Sequence, residues 1–235
     1  MKNQMILFEF DDKIEGSPVV NVASVPKRSP FRYPGGKTWL VPIIRLWLKQ
    51  GQKPILKLIE PFAGGGIVSL TAAFEQLADQ ITMVELDEEI AAVWEVIFNK
   101  SNNKWLADKI LSFNLTIDNI QLELNNPSKE LRDIAFCTIL KNRVFHGGIL
   151  AKGSGMIKNG ENGKGISSRW YAKTLYDRIV AISYISDKID FITGDAFEVI
   201  AQNVDNYEAY FFIDPPYTVA GKRLYNYYDI DHERL

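Results

Sequence analysis

Cysteine and histidine are scarce in this chain of 235 residues, which has one cysteine, Cys137, and two histidines, His146 and His232. A single cysteine excludes an internal disulfide, and its apolar position in a helical pattern reads as a small core residue. Neither histidine lies in a ligand-like cluster, so no structural or catalytic metal is expected. No apolar run approaches the roughly 20 residues that cross a bilayer. Residues 1–12 are punctuated by acids and lack the basic stretch and apolar block of a targeting signal, so a cytoplasmic protein is expected. Net charge is also small, −2, and composition alone does not announce a nucleic-acid partner. What the chain does have is 46% hydrophobic residues, enough for the core of one medium domain.

The small net charge hides an asymmetry. Between Lys141 and Arg178 there are eight basic residues, among them Arg143, Lys152, Lys158, Lys164 and Arg169, against two acids. This segment is a candidate phosphate-binding surface, and together with the motifs below it makes nucleic acid the leading partner. Its centre, residues 147–165, carries seven glycines with lysines between them. That composition predicts a long hairpin or loop, and loops of this length inside compact domains are often functional.

Periodicity predicts helices over 37–50, 67–78, from Asp87 through 113, and over 117–124, 128–145, 173–186 and 196–202. Short apolar runs predict strands over 55–59, 81–85, 189–193 and 209–213. Strands alternating with helices imply a parallel, Rossmann-like α/β sheet, with residues 1–28 as an extension lacking periodicity.

Ligands of such sheets bind beyond the carboxyl ends of the strands, so the four strand ends are read together. The first runs into Glu60-Pro61-Phe62-Ala63-Gly64-Gly65-Gly66, where glycines permit close approach of the backbone to a ligand. The second ends at Glu85, about 20 residues on, where an acid conventionally takes ribose hydroxyls. The third ends at Gly194-Asp195, whose carboxylate is suited to an adenine amino group. The glycine spacing, Gly64-x-Gly66-x-x-Ser69, differs from a dinucleotide fingerprint. Gly35-Gly36-Lys37-Thr38 resembles a phosphate loop, but Phe31 stands where its first glycine is required.

The fourth strand delivers Asp214-Pro215-Pro216-Tyr217. Neither proline can donate to a ladder, and each disfavours α conformation in the residue before it, so the strand must stop in a stiff corner. The corner presents the Asp214 carboxylate and the Pro215 carbonyl as fixed acceptors beside the flat ring of Tyr217, an arrangement suited to gripping a planar amine.

Arg32-Tyr33-Pro34-Gly35-Gly36-Lys37, the Glu60–Gly66 run with Glu85 after it, Asn142-Arg143 ahead of the basic loop, and Gly194-Asp195 followed by Asp214-Pro215-Pro216-Tyr217 occur in one particular order. From about Phe31 onward the chain resembles the Dam-type, alpha-class DNA adenine N6-methyltransferases. The resemblance implies a Rossmann-like, S-adenosylmethionine-dependent methyltransferase sheet with an inserted, mostly helical target-recognition subdomain. It places an extension at 1–30, the catalytic domain at 31–100 and 187–235, and the insert at 101–186. It also implies that Tyr33, Lys37, Phe62, Gly64, Gly66, Glu85, Asp195 and Asp214 line the cofactor site. Asp214, Pro215, Pro216 and Tyr217 would act on the amine, and Asn142 and Arg143 would begin the region that meets double-stranded DNA.

The implied reaction suits these residues. The exocyclic nitrogen of adenine is a poor nucleophile because its lone pair is delocalised. Acceptors at Asp214 and Pro215 would localise that pair, and stacking of the flipped base on Tyr217 would return roughly 1–3 kcal/mol of the few kcal/mol that flipping costs. Two departures from the family stand out. Glu85 replaces the usual Asp, and the family continues beyond the motif with further strands. An incomplete sheet is therefore expected, with an edge that a partner chain or oligomer would cover. Cytosine N4 methylation, and a fragment or split-enzyme subunit that binds cofactor or DNA without turnover, stay open as alternatives.

Overall fold

Short apolar strands separated by helices can pair in parallel, because each crossover carries the chain back to the starting edge. The computed structural model realises this arrangement. It describes residues 25–32, 36–50, 54–126, 128–151, 153–160, 163–216 and 226–227. The extension before residue 25, Tyr33, Lys152, Tyr217 and the tail from Asp231 lie outside the described residues.

Four strands, β1 (Ile55–Glu60), β2 (Ala78–Glu85), β3 (Ile189–Thr193) and β4 (Ala209–Phe211), form one sheet in the order β3-β2-β1-β4. All three pairings are parallel, with Leu58 opposite Ile81, Glu85 opposite Thr193, and Ile59 opposite Phe211. Side chains alternate between the two faces of a strand. Leu58, Ile81 and Met83 therefore join the large core cluster, whereas their neighbours Ile59 and Val84 meet Val199 on the other face.

The first face is covered by helices. After a short 3₁₀ turn over Thr38–Leu40 come α1 (Val41–Leu48), α2 (Ile67–Phe74), α3 (Glu88–Phe98), α4 (Lys100–Ser112), α5 (Ile117–Asn125), α6 (Leu131–Val144) and α7 (Ala172–Ser183). The second face is covered by α8 (Ala196–Asn203). Asp87 caps α3, its Oδ1 accepting from the backbone N–H groups of Glu89 and Ile90. The continuous helical pattern expected through 113 divides at Asn99, which leaves helical geometry and caps α4 through Ser101 and Asn102. Such a cap satisfies donors that a helix start leaves orphaned.

Two boundaries differ from expectation. The helix predicted over 67–78 ends at Phe74, Gln76 adopts a positive φ of 54°, and Ala78 already belongs to β2. Short apolar runs satisfy both periods, so Leu77 and Ala78 read as helix while serving a strand. The last strand, expected over 209–213, keeps ladder geometry only over Ala209–Phe211. One more bond follows, from Phe212 N–H to the Ile59 carbonyl at 2.9 Å, before the chain reaches Asp214 and the prolines. Among the described residues no strand lies on the outer edge of β4, where Tyr210 is 42% exposed.

Candidate active site

The strand order changes direction between β1 and β4, and in open parallel sheets ligands bind at such a switch point. Here a cavity of about 920 Å³ opens at the strand ends, lined by Glu60, Gly64, Glu85, Asp195 and Asp214. Its size is at the upper end of the roughly 300–1,000 Å³ usual for small-molecule sites. Lys37 and Phe62 also line it, as do Pro215 and Pro216. The structure thus brings together every described residue that the sequence assigns to cofactor or amine.

The glycine loop is braced from behind. Gly64 donates its N–H to Glu85 Oε2 at 2.9 Å, and its carbonyl accepts from the indole N–H of Trp94 at 2.9 Å. Trp94 is fully buried on α3, packed on Phe98 and Phe31, so the loop is fixed to the core. Gly66 has φ +62° as the residue that starts α2, and a Cβ there would lie 2.8 Å from Met83 Cε and 2.9 Å from the Trp94 ring. Its glycine is thus required by the packing behind the loop, a signal the motif alone does not contain. Glu85 accepts from Gly64 and, through Oε1, from the Asp87 N–H at 2.9 Å. Burial of this carboxyl pushes it up to about 7, against the backbone donors that pull it down.

Glu60, which sequence reasoning left without a role, is only 3% exposed. Its Oε2 accepts from both the N–H (2.9 Å) and the hydroxyl (2.5 Å) of Ser69 in α2. Burial raises it from an ordinary 4.5 to about 7, with Asp214 and Glu85 adding to the rise and Ser69 opposing it. Because the folded value lies above the unfolded one, the stability tied to this proton is complete below about 4.5 and is lost as pH rises through about 7. We predict that Glu60→Gln, which keeps an acceptor for Ser69, removes up to about 3 kcal/mol of that loss. Urea midpoints at pH 5 and pH 8 check this. Wild type and variant changing in parallel would show that Glu60 does not titrate in this range.

At the end of β4, Asp214 Oδ2 lies 2.6 Å from Lys37 Nζ, with the two side chains 30% and 14% exposed. Lys37 stands just ahead of the helix that follows the glycine pair, so the phosphate-loop look-alike supplies a cation to a carboxylate. Asp195 caps α8 by accepting from the Phe197 N–H at 2.9 Å. The ring of Phe197 meets Phe62 edge-on, with centroids 6.1 Å apart. Asn226 closes the rim by donating to Asp87 Oδ2 at 2.9 Å.

Two residues that the resemblance sets at the start of the DNA-meeting region are turned inward. Asn142 is fully buried. Its Oδ1 accepts from Arg32 N–H at 2.8 Å, and its amide donates to the carbonyls of Arg32 and Gly148. Gly148, at φ +75°, approaches so closely that a Cβ would sit 2.5 Å from the Arg32 carbonyl. Asn142 is therefore a clamp between α6 and the 27–32 segment. Arg143 is 7% exposed and donates to the Pro30 carbonyl, so it faces the cavity and not the outer surface.

The described basic residues between Lys141 and Arg178 do not form one surface. Lys141 pairs with Glu89 and Lys173 with Asp177, and Arg178 lines the cavity. Lys158 and Lys164 are exposed, and Arg169 is half-buried. They belong to an arm tied to α6 by the Phe145–Met156 bridge and by the Ile157 N–H to Val144 carbonyl bond of 2.8 Å. Among the described residues, no group of His, Cys, Asp and Glu could hold a metal, and no helix is long and apolar enough to cross a membrane.

Acids at three strand ends, a braced glycine loop and a carboxylate held before two prolines form one site, and comparison with known proteins bears on it. No curated protein matches the chain at a significant level. A family model described as D12 class N6 adenine-specific DNA methyltransferase matches residues 33–234, from the Lys37 region through the Asp214 corner and beyond. The chain belongs to the D12 class N6 adenine-specific DNA methyltransferase family.

Proposed function

We propose that this cavity holds S-adenosylmethionine along the glycine loop and an adenine extruded from duplex DNA against Asp214. The observation that carries the reading is the convergence of Asp214, Glu85 and Asp195 on one cavity at the switch point of the sheet. The residues present fit the cofactor. Glu85 would take the ribose hydroxyls, and its orientation by two backbone N–H groups supports this. Asp195 is placed for the cofactor's adenine amino group, Phe62 and Phe197 provide apolar surface, and Gly64 and Gly66 set the shape of the loop. When bound, S-adenosylmethionine supplies a methyl group on a sulfonium.

The remaining work falls to the protein. Asp214 accepts from the adenine amino group, together with the Pro215 carbonyl, and so turns the nitrogen lone pair out of conjugation. Positive charge developing on that nitrogen is stabilised by the same fixed acceptors, which need no reorganisation at the moment of reaction. The amine exchanges one N–H for N–CH₃, and the displaced proton would pass by way of Asp214 to solvent. Lys37 orients Asp214 through the 2.6 Å ion pair. Pro216 stiffens the corner. Tyr33 and Tyr217 enter by their place in the motifs alone. Alignment of two bound ligands is the main further requirement, a proximity effect. Methyl transfer to duplex DNA by the wild-type chain, and its loss in Asp214→Ala, tests the assignment.

The 101–186 insert is proposed to carry DNA recognition, with Lys158, Lys164, Lys152 and Arg169 on the arm. Exposure of Lys158 and Lys164 supports contact with phosphates. Replacing both with glutamine is expected to weaken duplex binding and to reduce the slope of log K against log salt by about 2. Binding measured across a salt series checks this, and an unchanged slope places the duplex elsewhere.

A further inference from the structure

The cavity has a second chemical character on the wall built by α6 and α7. Arg143 and Arg178 both line it. Arg143 is 7% exposed and donates to the Pro30 carbonyl, and among the described residues its Nε has no hydrogen-bond partner. Arg178 donates from Nη1 to the Ser29 carbonyl at 3.1 Å. Among the described residues no carboxylate pairs with either guanidinium. The acids of the cavity are engaged elsewhere, Asp214 by Lys37 and Glu60 by Ser69.

Each arginine carries five donors in a rigid fork, and two carbonyls satisfy only a small part of them. A buried charge without a counter-ion is costly, so such groups are normally paired. The cost is visible at Arg143, which is pushed down to about 10 by burial first and then by the charges of Arg178 and Arg32. Even so it stays protonated at neutral pH. If the two residues served only to hold Ser29 and Pro30, neutral donors would do the same at less cost.

We propose that Arg143 and Arg178 form an oxyanion seat inside the reaction cavity. Resting on the function proposed above, the seat takes an anion carried by one of the two reactants. That anion is either the carboxylate of the methyl donor's amino-acid tail or a phosphodiester of the DNA beside the extruded base. Both present a pair of anionic oxygens that a guanidinium can grip in a bidentate manner.

Arg178→Gln removes the charge and keeps a donor for the Ser29 carbonyl. Three affinities are read by titration: for S-adenosylhomocysteine, for 5′-methylthioadenosine, which lacks the amino-acid tail, and for duplex DNA across a salt series. A charged hydrogen bond lost corresponds to about 10–100-fold in affinity. Weakening of S-adenosylhomocysteine by this factor with methylthioadenosine unchanged assigns the seat to the cofactor carboxylate. Unchanged cofactor binding with weaker DNA binding and a salt slope lower by about 1 assigns it to a phosphate. All three affinities unchanged, or the two nucleosides weakened equally, overturns the seat. Arg143→Lys, which keeps the charge but loses the fork, is read in the same way should Arg178→Gln not fold. Wild-type protein that binds neither nucleoside nor DNA contradicts the underlying function, and the seat with it. A loss pattern confined to the variants concerns the seat alone.

Discussion

Asp214→Ala is expected to lower methyl transfer by about 10²–10³-fold or more, the loss found when one preorganised electrostatic group is removed from an active site. The expectation follows from how the residue is held. Ladder geometry ends at Phe211, the Phe212–Ile59 bond is the last before the corner, and Pro215 and Pro216 cannot resume the pairing. Lys37 then fixes one carboxylate oxygen at 2.6 Å. The group is thus aimed before any substrate arrives. The fold should survive, because the Lys37–Asp214 pair is partly exposed, and pairs of that kind are worth only about 1 kcal/mol. Asp214→Asn keeps an acceptor and loses the charge, so its rate should fall between wild type and the alanine variant. Single-turnover rates at saturating DNA and cofactor check both. Activity within tenfold of wild type in Asp214→Ala would remove the residue from the chemistry.

Gly66→Ala is expected to destabilise the protein by about 2–5 kcal/mol, with loss of cofactor binding. About 1–2 kcal/mol comes from placing a side chain at positive φ, and about 1–3 kcal/mol from overpacking. The second contribution is specific to this position. Met83 Cε could swing aside if it were free, but Met83 is fully buried, and the Trp94 ring is held by its bond to Gly64 and by its stack on Phe98. Gly153→Ala is the control, since Gly153 has φ +88° with nothing within 4 Å of the built Cβ. It should show the backbone cost alone. Urea denaturation of both variants measures the difference. Equal destabilisation would mean that the core behind the loop makes room.

The sheet and the reacting corner were legible because their signals are local. Apolar runs ending in glycine or proline mark the strand ends, and a parallel sheet gathers those ends on one side, so the sequence alone groups Glu85, Asp195 and Asp214. What was not legible depends on distant contacts. Asn142 reads as a surface recognition residue until Arg32, 110 positions away, is seen on both of its polar atoms. Arg178 is one charge in a basic segment until α7 turns it into the cavity, where it meets the Ser29 carbonyl. Glu60 opens the glycine motif, but its burial against Ser69 follows from the packing of α2 on β1. The end of α2 was misplaced for a different reason, since Leu77 and Ala78 satisfy helix and strand periods equally.

Methylation of the exocyclic nitrogen of adenine in DNA is the reaction assigned to this cavity. Its most direct test is to incubate the wild-type chain with unmethylated duplex DNA and isotopically labelled S-adenosylmethionine, digest the DNA to nucleosides and identify the modified base by mass. Label is expected in N6-methyldeoxyadenosine with wild type and none above background with Asp214→Ala. Label in N4-methyldeoxycytidine, or label in N6-methyldeoxyadenosine that persists undiminished in Asp214→Ala, would contradict the assignment.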